Sequence, residues 1–439
     1  GFHESLEGRL AAHGLNAQGN RGNLMSQRRA QPVGHAQVAG ESLDRPLVAG
    51  RSLEKQAEGA GEGFLDRQFQ GIGRAFKAKQ IEVPDRHGAG LIYLDQAEGG
   101  ARHFAHGAAA GLGLRTVAVY SEDDASSLHT RMADEARPLT GRGVPAYLDI
   151  ERIIQLAKDA GCDAVHPGYG FLAESPAFAR RCREAGITFV GPDEESLELF
   201  GDKGRARGAA AAADVPILRG RDEAVSVEEA HEFFASLGPS GAMMIKALAG
   251  GGGRGTRPVT DAEEIEGTYE RCRSEAMLSF GDGDLYVEEF VSRVRHVEVQ
   301  VLADKHGAVT HLGERECSLQ RRFQKLVEIA PAPNLSETLR TRITDAALRL
   351  ARSVSYTNLG TFEFLVFKGI KNSADGDESF AFIETNARLQ VEHTVTEEVT
   401  GVDIVQSQIR LAAGETLAEL GLDQPEIARP RGYAIQVRV

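Results

Sequence analysis

Between Thr116 and Val190 short apolar runs alternate with segments of helical period, and this alternation restricts the fold more than any other feature of the chain. Thr116-Val117-Ala118-Val119-Tyr120 has the composition of a buried strand. Asp149 stands at an N-cap ahead of Ile150, Ile153, Ile154 and Ala157 at helical spacing, and Gly161 closes that segment. Asp163-Ala164-Val165-His166 is a second strand. Ser175-Pro176 opens a second helix, Gly186 ends it, and Ile187 to Val190 is a third strand. Strand–helix–strand order implies a parallel sheet, whose ligands bind beyond the carboxyl ends of the strands. His166-Pro167-Gly168-Tyr169-Gly170-Phe171 lies at one such end.

After Asp202-Lys203 the pattern changes from α/β to α+β. Met243 to Lys246 and Leu285 to Glu288 are strands, and Val297 to Ala303 pairs with Val309 to Gly313 around the turn Asp304-Lys305-His306-Gly307. A second hairpin joins Phe362–Phe367 to Phe380–Glu384. Residues 1–111 differ in kind. No Thr occurs before Thr116, and Gly, Gln, Arg, Ala and Glu dominate without a sustained period of 2 or 3.6. Such a stretch buries little apolar surface and is expected to lack regular structure.

The charge balance excludes some classes of function. A net charge of −14 over 439 residues leaves no basic excess for a general nucleic-acid binder. No apolar run reaches the ~18–20 residues that span a bilayer, and the N-terminus lacks the pattern of a signal peptide. Cys162, Cys182, Cys272 and Cys317 are too dispersed for a zinc site or a disulfide framework. Buried thiols in a reducing cytoplasm are expected.

Two stretches carry chemistry. Lys246 is followed by Ala247-Leu248-Ala249 and then by Gly250, Gly251, Gly252 and Gly253, with Arg254 and Gly255 beyond. Consecutive glycines after a strand lysine let backbone N–H groups wrap phosphates, although the Walker sequence is absent. In the second hairpin, a loop symmetric about residues 373 and 374 sets Glu363 opposite Glu384, Leu365 opposite Phe382 and Phe367 opposite Phe380. Two carboxylates opposite one another need a cation between them, and paired carboxylates suit Mg²⁺ bridging nucleotide phosphates. Asn386 adds an oxygen ligand two residues further on.

With these residues in place, the chain from about Leu112 to Val439 resembles the biotin carboxylase component of biotin-dependent carboxylases, in the ATP-grasp superfamily. The resemblance rests on HPGYGFLAES from His166, GDK from Gly201, the GGGGRG loop, RHVEVQVLAD from Arg295, ERECSLQRRFQK from Glu314 and FIETNARLQVEHTVTEEVTG from Phe382. It implies a Rossmann-like pre-ATP-grasp domain over 112–202, an ATP-grasp domain over 203–413 and the start of a C-terminal domain over 414–439. It implies Lys203 and Lys246 on ATP phosphates, Gly250 to Gly255 in a lid, and Glu288, Glu289, Val291, His296 and Gln320 around the nucleotide. Glu363, Glu384 and Asn386 match the Mg²⁺ or Mn²⁺ positions. Glu392 matches the base for bicarbonate, Arg388 the group that orients it, and Lys325 a bicarbonate- and phosphate-binding lysine. Arg438 matches the arginine on the biotin ureido oxygen, with Tyr169 and Gly170 in the biotin pocket.

The activity so implied is ATP-dependent carboxylation of biotin on a carrier domain. Bicarbonate is the carbon source, carboxyphosphate the intermediate, and a carboxyltransferase the partner; a homodimer is also implied. The sequence departs from the family in three ways. Residues before Leu112 lack the strand and Asn-Arg-Gly-Glu turn with which the family opens, as a gene-start or reading-frame artefact upstream would produce. The chain stops at Val439, inside the first strands of the C-terminal domain. Phe323 stands where a polar or His residue is common. A carbamoyl-phosphate-synthetase-like ligase and an inactive nucleotide-binding fragment are the alternatives.

Overall fold

The computed structural model describes residues 90–94, 104–239, 241–249, 254–368, 378–423 and 429–438. The first of three sheets is parallel, with strands β1 (Gly90–Leu94), β2 (Arg115–Tyr120), β3 (Glu135–Pro138), β4 (Ala164–His166) and β5 (Thr188–Phe189) in the order β3-β2-β1-β4-β5. The expected caps form. Asp149 accepts a hydrogen bond from the Arg152 N–H, and Ser175 accepts one from the Phe178 N–H.

The central strand of this sheet corrects one expectation. Gly90–Leu94 lies inside the stretch expected to lack regular structure, yet all five residues are buried and pair with β2 and β4. Phe104–Gly111 is likewise helical, with Ala108 and Ala109 packed in one cluster with Ile404, Val405 and Ile409. Sequence pattern missed β1 because it is a five-residue run with Ile92 as its only β-branched residue. Burial on both faces and two ladders decide its state rather than local propensity.

The second sheet is antiparallel: β6 (Gly220–Arg221), β7 (Met243–Ala247), β8 (Thr256–Val259) and β9 (Leu285–Glu289), ordered β6-β9-β7-β8. The helix Ile265–Phe280 packs on it through Ile265, Tyr269, Cys272 and Ala276.

The third sheet holds β10 (Arg295–Ala303), β11 (Val309–Arg321), β12 (Gln324–Ala330), β13 (Asn358–Lys368), β14 (Glu378–Asn386) and β15 (Ala434–Val437), ordered β14-β13-β10-β11-β12-β15. Alternation splits it into two chemistries. Val297, Val299, Val301, Phe362 and Phe364 join Ile343, Ala346 and Leu350 of the helix Glu337–Ser353 in one apolar core. The opposite face carries Glu298, Gln300 and Glu363.

The register of the β13–β14 hairpin is as expected at one pair and different beyond it. Glu363 does face Glu384. The ladder then slips by one residue, so that Phe364 faces Phe382, Leu365 faces Ala381 and Val366 faces Phe380. The expected pairs Leu365–Phe382 and Phe367–Phe380 do not form. Ile383 is the extra residue, and the bulge has a consequence. Phe380 and Phe382 point into the core, and strict alternation would send Glu384 there too. The inserted residue returns the Glu384 side chain to the opposite face, where it lines a cleft beside Ile383.

Because β1 is central and sealed on both faces, Ile92→Ala is expected to lower the unfolding free energy by roughly 2–5 kcal/mol, as buried Ile-to-Ala truncations do. Urea unfolding checks this, and a change within ±0.5 kcal/mol would contradict the burial of β1.

Candidate active site

Four strands set a row of charge beneath a cleft of about 770 Å³. Glu384 on β14 faces Glu363 on β13, Glu363 faces Glu298 on β10, and Glu298 faces Arg315 on β11. Three adjacent carboxylates are strongly unfavourable unless cations enter the row. Arg315 is fully buried with its Nε 2.5 Å from Glu298 Oε1. Its terminal nitrogens donate to Gln300, Thr396, Thr361 and Gln390 at 2.9–3.2 Å.

Lys325 on β12 supplies the second cation. Its Nζ lies 2.5 Å from Glu298, 2.7 Å from Glu363 and 2.9 Å from Glu392. Three carboxylates around one ammonium raise the pKa of Lys325 well above the ordinary lysine range, against the opposing effect of burial. Glu363 also meets His296, whose Nε2 is 2.6 Å from Oε2. Gln320 Nε2 lies 2.8 Å from His296 Nδ1 on the other side of the ring. Burial works against ionised Glu363, but Lys325 and His296 outweigh it and hold this carboxyl well below its usual value.

Glu392 immediately precedes the helix His393–Thr400. Burial again favours its neutral form, yet Lys325, Arg315 and Arg438 together bring it down to about 2. Arg438 reaches it from beyond β15, with Nη2 2.8 Å from Glu392 Oε2 and Nε 2.7 Å from Glu328 Oε1. Arg388 lines the cleft as well, and its Nη2 donates to Asn386 Oδ1 at 2.8 Å.

The same cleft is lined by two further lysines, Lys203 and Lys246. Lys246 on β7 is ion-paired with Glu288, and Arg207 Nη1 lies 3.0 Å from the other Glu288 oxygen. Lys203 starts the helix Lys203–Ala212, and burial pulls its pKa below the ordinary lysine range. Glu289, Val291 and Tyr169 also line the cleft. Glu289 is 2.9 Å from Arg219. Gly170 and Gly255 flank the cleft in sequence without lining it. Gly250, Gly251, Gly252 and Gly253 lie outside the described residues.

Among the expected metal ligands, Glu363, Glu384 and Asn386 all line the cleft, and Asn386 Nδ2 donates to Glu363 Oε1 at 2.7 Å. They offer only hard oxygen donors beside a lysine-rich wall, a set that fits Mg²⁺ or Mn²⁺. Among the described residues, the tightest groups of metal-capable atoms are His296–Glu298–Glu363 and Glu298–Cys317–Glu392, and neither includes Glu384. Sequence reasoning missed Glu298, Arg315 and Arg207. A signal existed for the first: Glu298 and Gln300 interrupt Val297, Val299 and Val301 in a strand whose polar face is also buried.

Two family profiles match the chain. "Biotin carboxylase, N-terminal domain" covers residues 97–197, and "Carbamoyl-phosphate synthase L chain, ATP binding domain" covers 202–420. A solved relative, the biotin carboxylase domain of Hydrogenobacter thermophilus 2-oxoglutarate carboxylase, is 44% identical with a TM-score of 0.72 and is covered over 74% of its length by 80% of this chain. The chain belongs to the biotin carboxylase family. The biotin carboxylase of Campylobacter jejuni is 39% identical, again with a TM-score of 0.72, over 80% of this chain and 75% of that one. Mouse mitochondrial pyruvate carboxylase is 52% identical over 75% of this chain, and the Staphylococcus aureus enzyme 50% identical over 76%. The chain spans about 27–28% of the length of these curated relatives.

The Glu392 carboxyl titrates at about 2 in the fold against an ordinary 4.5. A depressed acid stabilises the fold above its ordinary value and loses that contribution as pH falls through the window from 4.5 to 2. The slope of unfolding free energy against pH in that window is therefore expected to be shallower for Glu392→Gln than for the unmodified chain. Identical slopes would contradict the pairing.

Proposed function

We propose that the chain catalyses the first half-reaction of a biotin-dependent carboxylase, transferring a carboxyl group from bicarbonate to carrier-bound biotin at the expense of ATP. The observation that carries this reading is Glu392, an ionised buried carboxylate held by Lys325 and Arg438 across one cleft from Lys203 and Lys246. A proton acceptor, oxyanion-binding cations and phosphate-binding cations thus meet in a single space.

In this reading Lys203 and Lys246 hold the ATP phosphates, with Glu288, Glu289, Val291, His296 and Gln320 around the nucleotide. Glu363, Glu384 and Asn386 hold the divalent ion, which offsets phosphate charge during transfer. Arg388 and Lys325 orient bicarbonate, and Glu392 takes its proton. The resulting carbonate oxygen attacks the γ-phosphorus, ADP departs, and carboxyphosphate forms. Carboxyphosphate yields CO₂ and phosphate, and phosphate takes the N1′ proton of biotin. Tyr169 and Gly170 border the biotin, and Arg438 stabilises the charge on its ureido oxygen while N1′ attacks CO₂.

Glu392 at about 2 is a weak base while Lys325 and Arg438 both contact it. Once those cations turn to the bound anions, burial raises its basicity, so base strength follows occupancy of the site.

The divisions at 203–413 and 414–439 are part of the same proposal, while the N-terminal domain expected over 112–202 also takes in β1 and the helix Phe104–Gly111. The carrier domain, the carboxyltransferase and a homodimer as partners belong to the proposal too. The relatives are named for different acceptors, pyruvate and 2-oxoglutarate among them, and in this reading the choice belongs to the carboxyltransferase. No helix among the described residues is long and apolar enough to cross a membrane, and the four cysteines are free and buried, which supports a reducing, cytoplasmic setting.

ADP release with Mg²⁺, ATP and bicarbonate tests the reading, with and without free biotin. Biotin-stimulated turnover is expected, and Glu392→Gln should lower it by roughly 10²–10⁴-fold, the usual contribution of a positioned base. The ATP-binding profile that covers 202–420 is described from carbamoyl-phosphate synthase, so ammonia is the control substrate. Turnover stimulated by ammonia rather than biotin would replace the proposal.

A further inference from the structure

Arg388 has a partner in the parallel-sheet domain that neither sequence pattern nor the reaction scheme assigns. Its Nε donates to Glu174 Oε2 at 2.9 Å, across 214 residues of chain. Its Nη2 donates to Asn386 Oδ1 at 2.8 Å, and its Nη1 donates to the Leu389 carbonyl at 3.3 Å. A guanidinium has five N–H donors, so these contacts leave one on each terminal nitrogen. Paired N–H groups on the two terminal nitrogens match the two oxygens of a planar oxyanion.

Glu174 is held firmly. It ends the short helical turn Phe171–Glu174, and the next residue, Ser175, caps the helix Pro176–Glu184. Upstream, the Gly168 N–H donates to His166 Nδ1 at 3.1 Å, and His166 Nε2 lies 3.1 Å from Gln408 Oε1. Gly168 has φ +73°, and a Cβ there would lie 2.5 Å from the Leu94 carbonyl oxygen, so the turn admits only glycine. The same short segment carries Tyr169 into the cleft.

We propose that Glu174 is a positioning residue for Arg388, aiming its guanidinium so that the terminal N–H groups face the bicarbonate site. The inference rests on the reading of Arg388 as the bicarbonate-orienting group. Magnitudes favour orientation over stability as the role of this pair. Glu174 retains 43% of its side-chain exposure, and an ion pair open to solvent adds little to folding. Yet Nε is the donor that fixes the rotation of the guanidinium plane. Lys203 also feels the Glu174 charge, so nucleotide affinity must be followed beside bicarbonate affinity.

The test compares the full chain with Glu174→Gln and Glu174→Asp in initial-rate ADP release at varied bicarbonate and varied ATP. Glu174→Gln should raise the bicarbonate KM by roughly tenfold or more, the loss expected for a charged hydrogen bond, with the ATP KM and Tm unchanged. Glu174→Asp should recover part of that loss. An unchanged bicarbonate KM, or ATP and bicarbonate KM values rising together, would overturn the proposal. If the unmodified chain releases ADP independently of bicarbonate, the functional reading fails instead. The positioning claim is then decided in protein labelled with ¹⁵N-arginine. The slowly exchanging Arg388 Nε–H resonance should be lost in Glu174→Gln, and its persistence would refute the contact.

Discussion

The ammonium of Lys325 is the interaction on which the rest of the site depends. Register alone stacks Glu384, Glu363 and Glu298 across three adjacent strands, and Glu392 is buried against them. Four acidic groups brought together in a low dielectric would either protonate or push the strands apart. Lys325 contacts three of them, and Arg315 closes the row from the fourth strand. The cluster is poorly suited to stabilising the fold, since a buried ion network seldom outweighs its desolvation. Its physical value is that Glu363 and Glu392 stay ionised beneath a cleft.

A single inserted residue makes this arrangement possible. Without the bulge at Ile383, the alternation that buries Phe380 and Phe382 would also bury Glu384 among the aromatic side chains of the core. With it, one hairpin packs phenylalanines against the helix Glu337–Ser353 and still presents both Glu363 and Glu384 to the cleft. The site also draws on parts of the fold far apart in the chain. Tyr169 and Glu174 come from the loop after a parallel strand, Lys203 from a helix start, Lys246 from the second sheet and Arg438 from just beyond the last strand.

Much of this was legible beforehand for a specific reason. Strands and helices between Thr116 and Val190 are marked by caps, glycines and period, all of which act within a few residues. The expected pairing of Glu363 with Glu384 is present because the bulge at Ile383 restores the register that symmetry about 373 and 374 assumed. Leu365 and Phe367 were mispaired because a bulge leaves no mark in the alternation of a mostly apolar strand. β1 was missed because a short strand buried on both sides has no polar face to give it a period.

The sequence by itself determined the alternation of strands and helices from Thr116 to Val190, the strand lysine ahead of the glycine run and the family to which the chain belongs. Local rules govern the first two, and long ordered motifs identify the last. Only the tertiary structure decided that Glu298 and Arg315 are part of the charged row, that Arg207 neutralises Glu288, and that Glu174 holds Arg388. These are contacts between distant segments. Their energies arise from burial and from the cations brought beside each carboxylate, and neither quantity exists until the chain has folded.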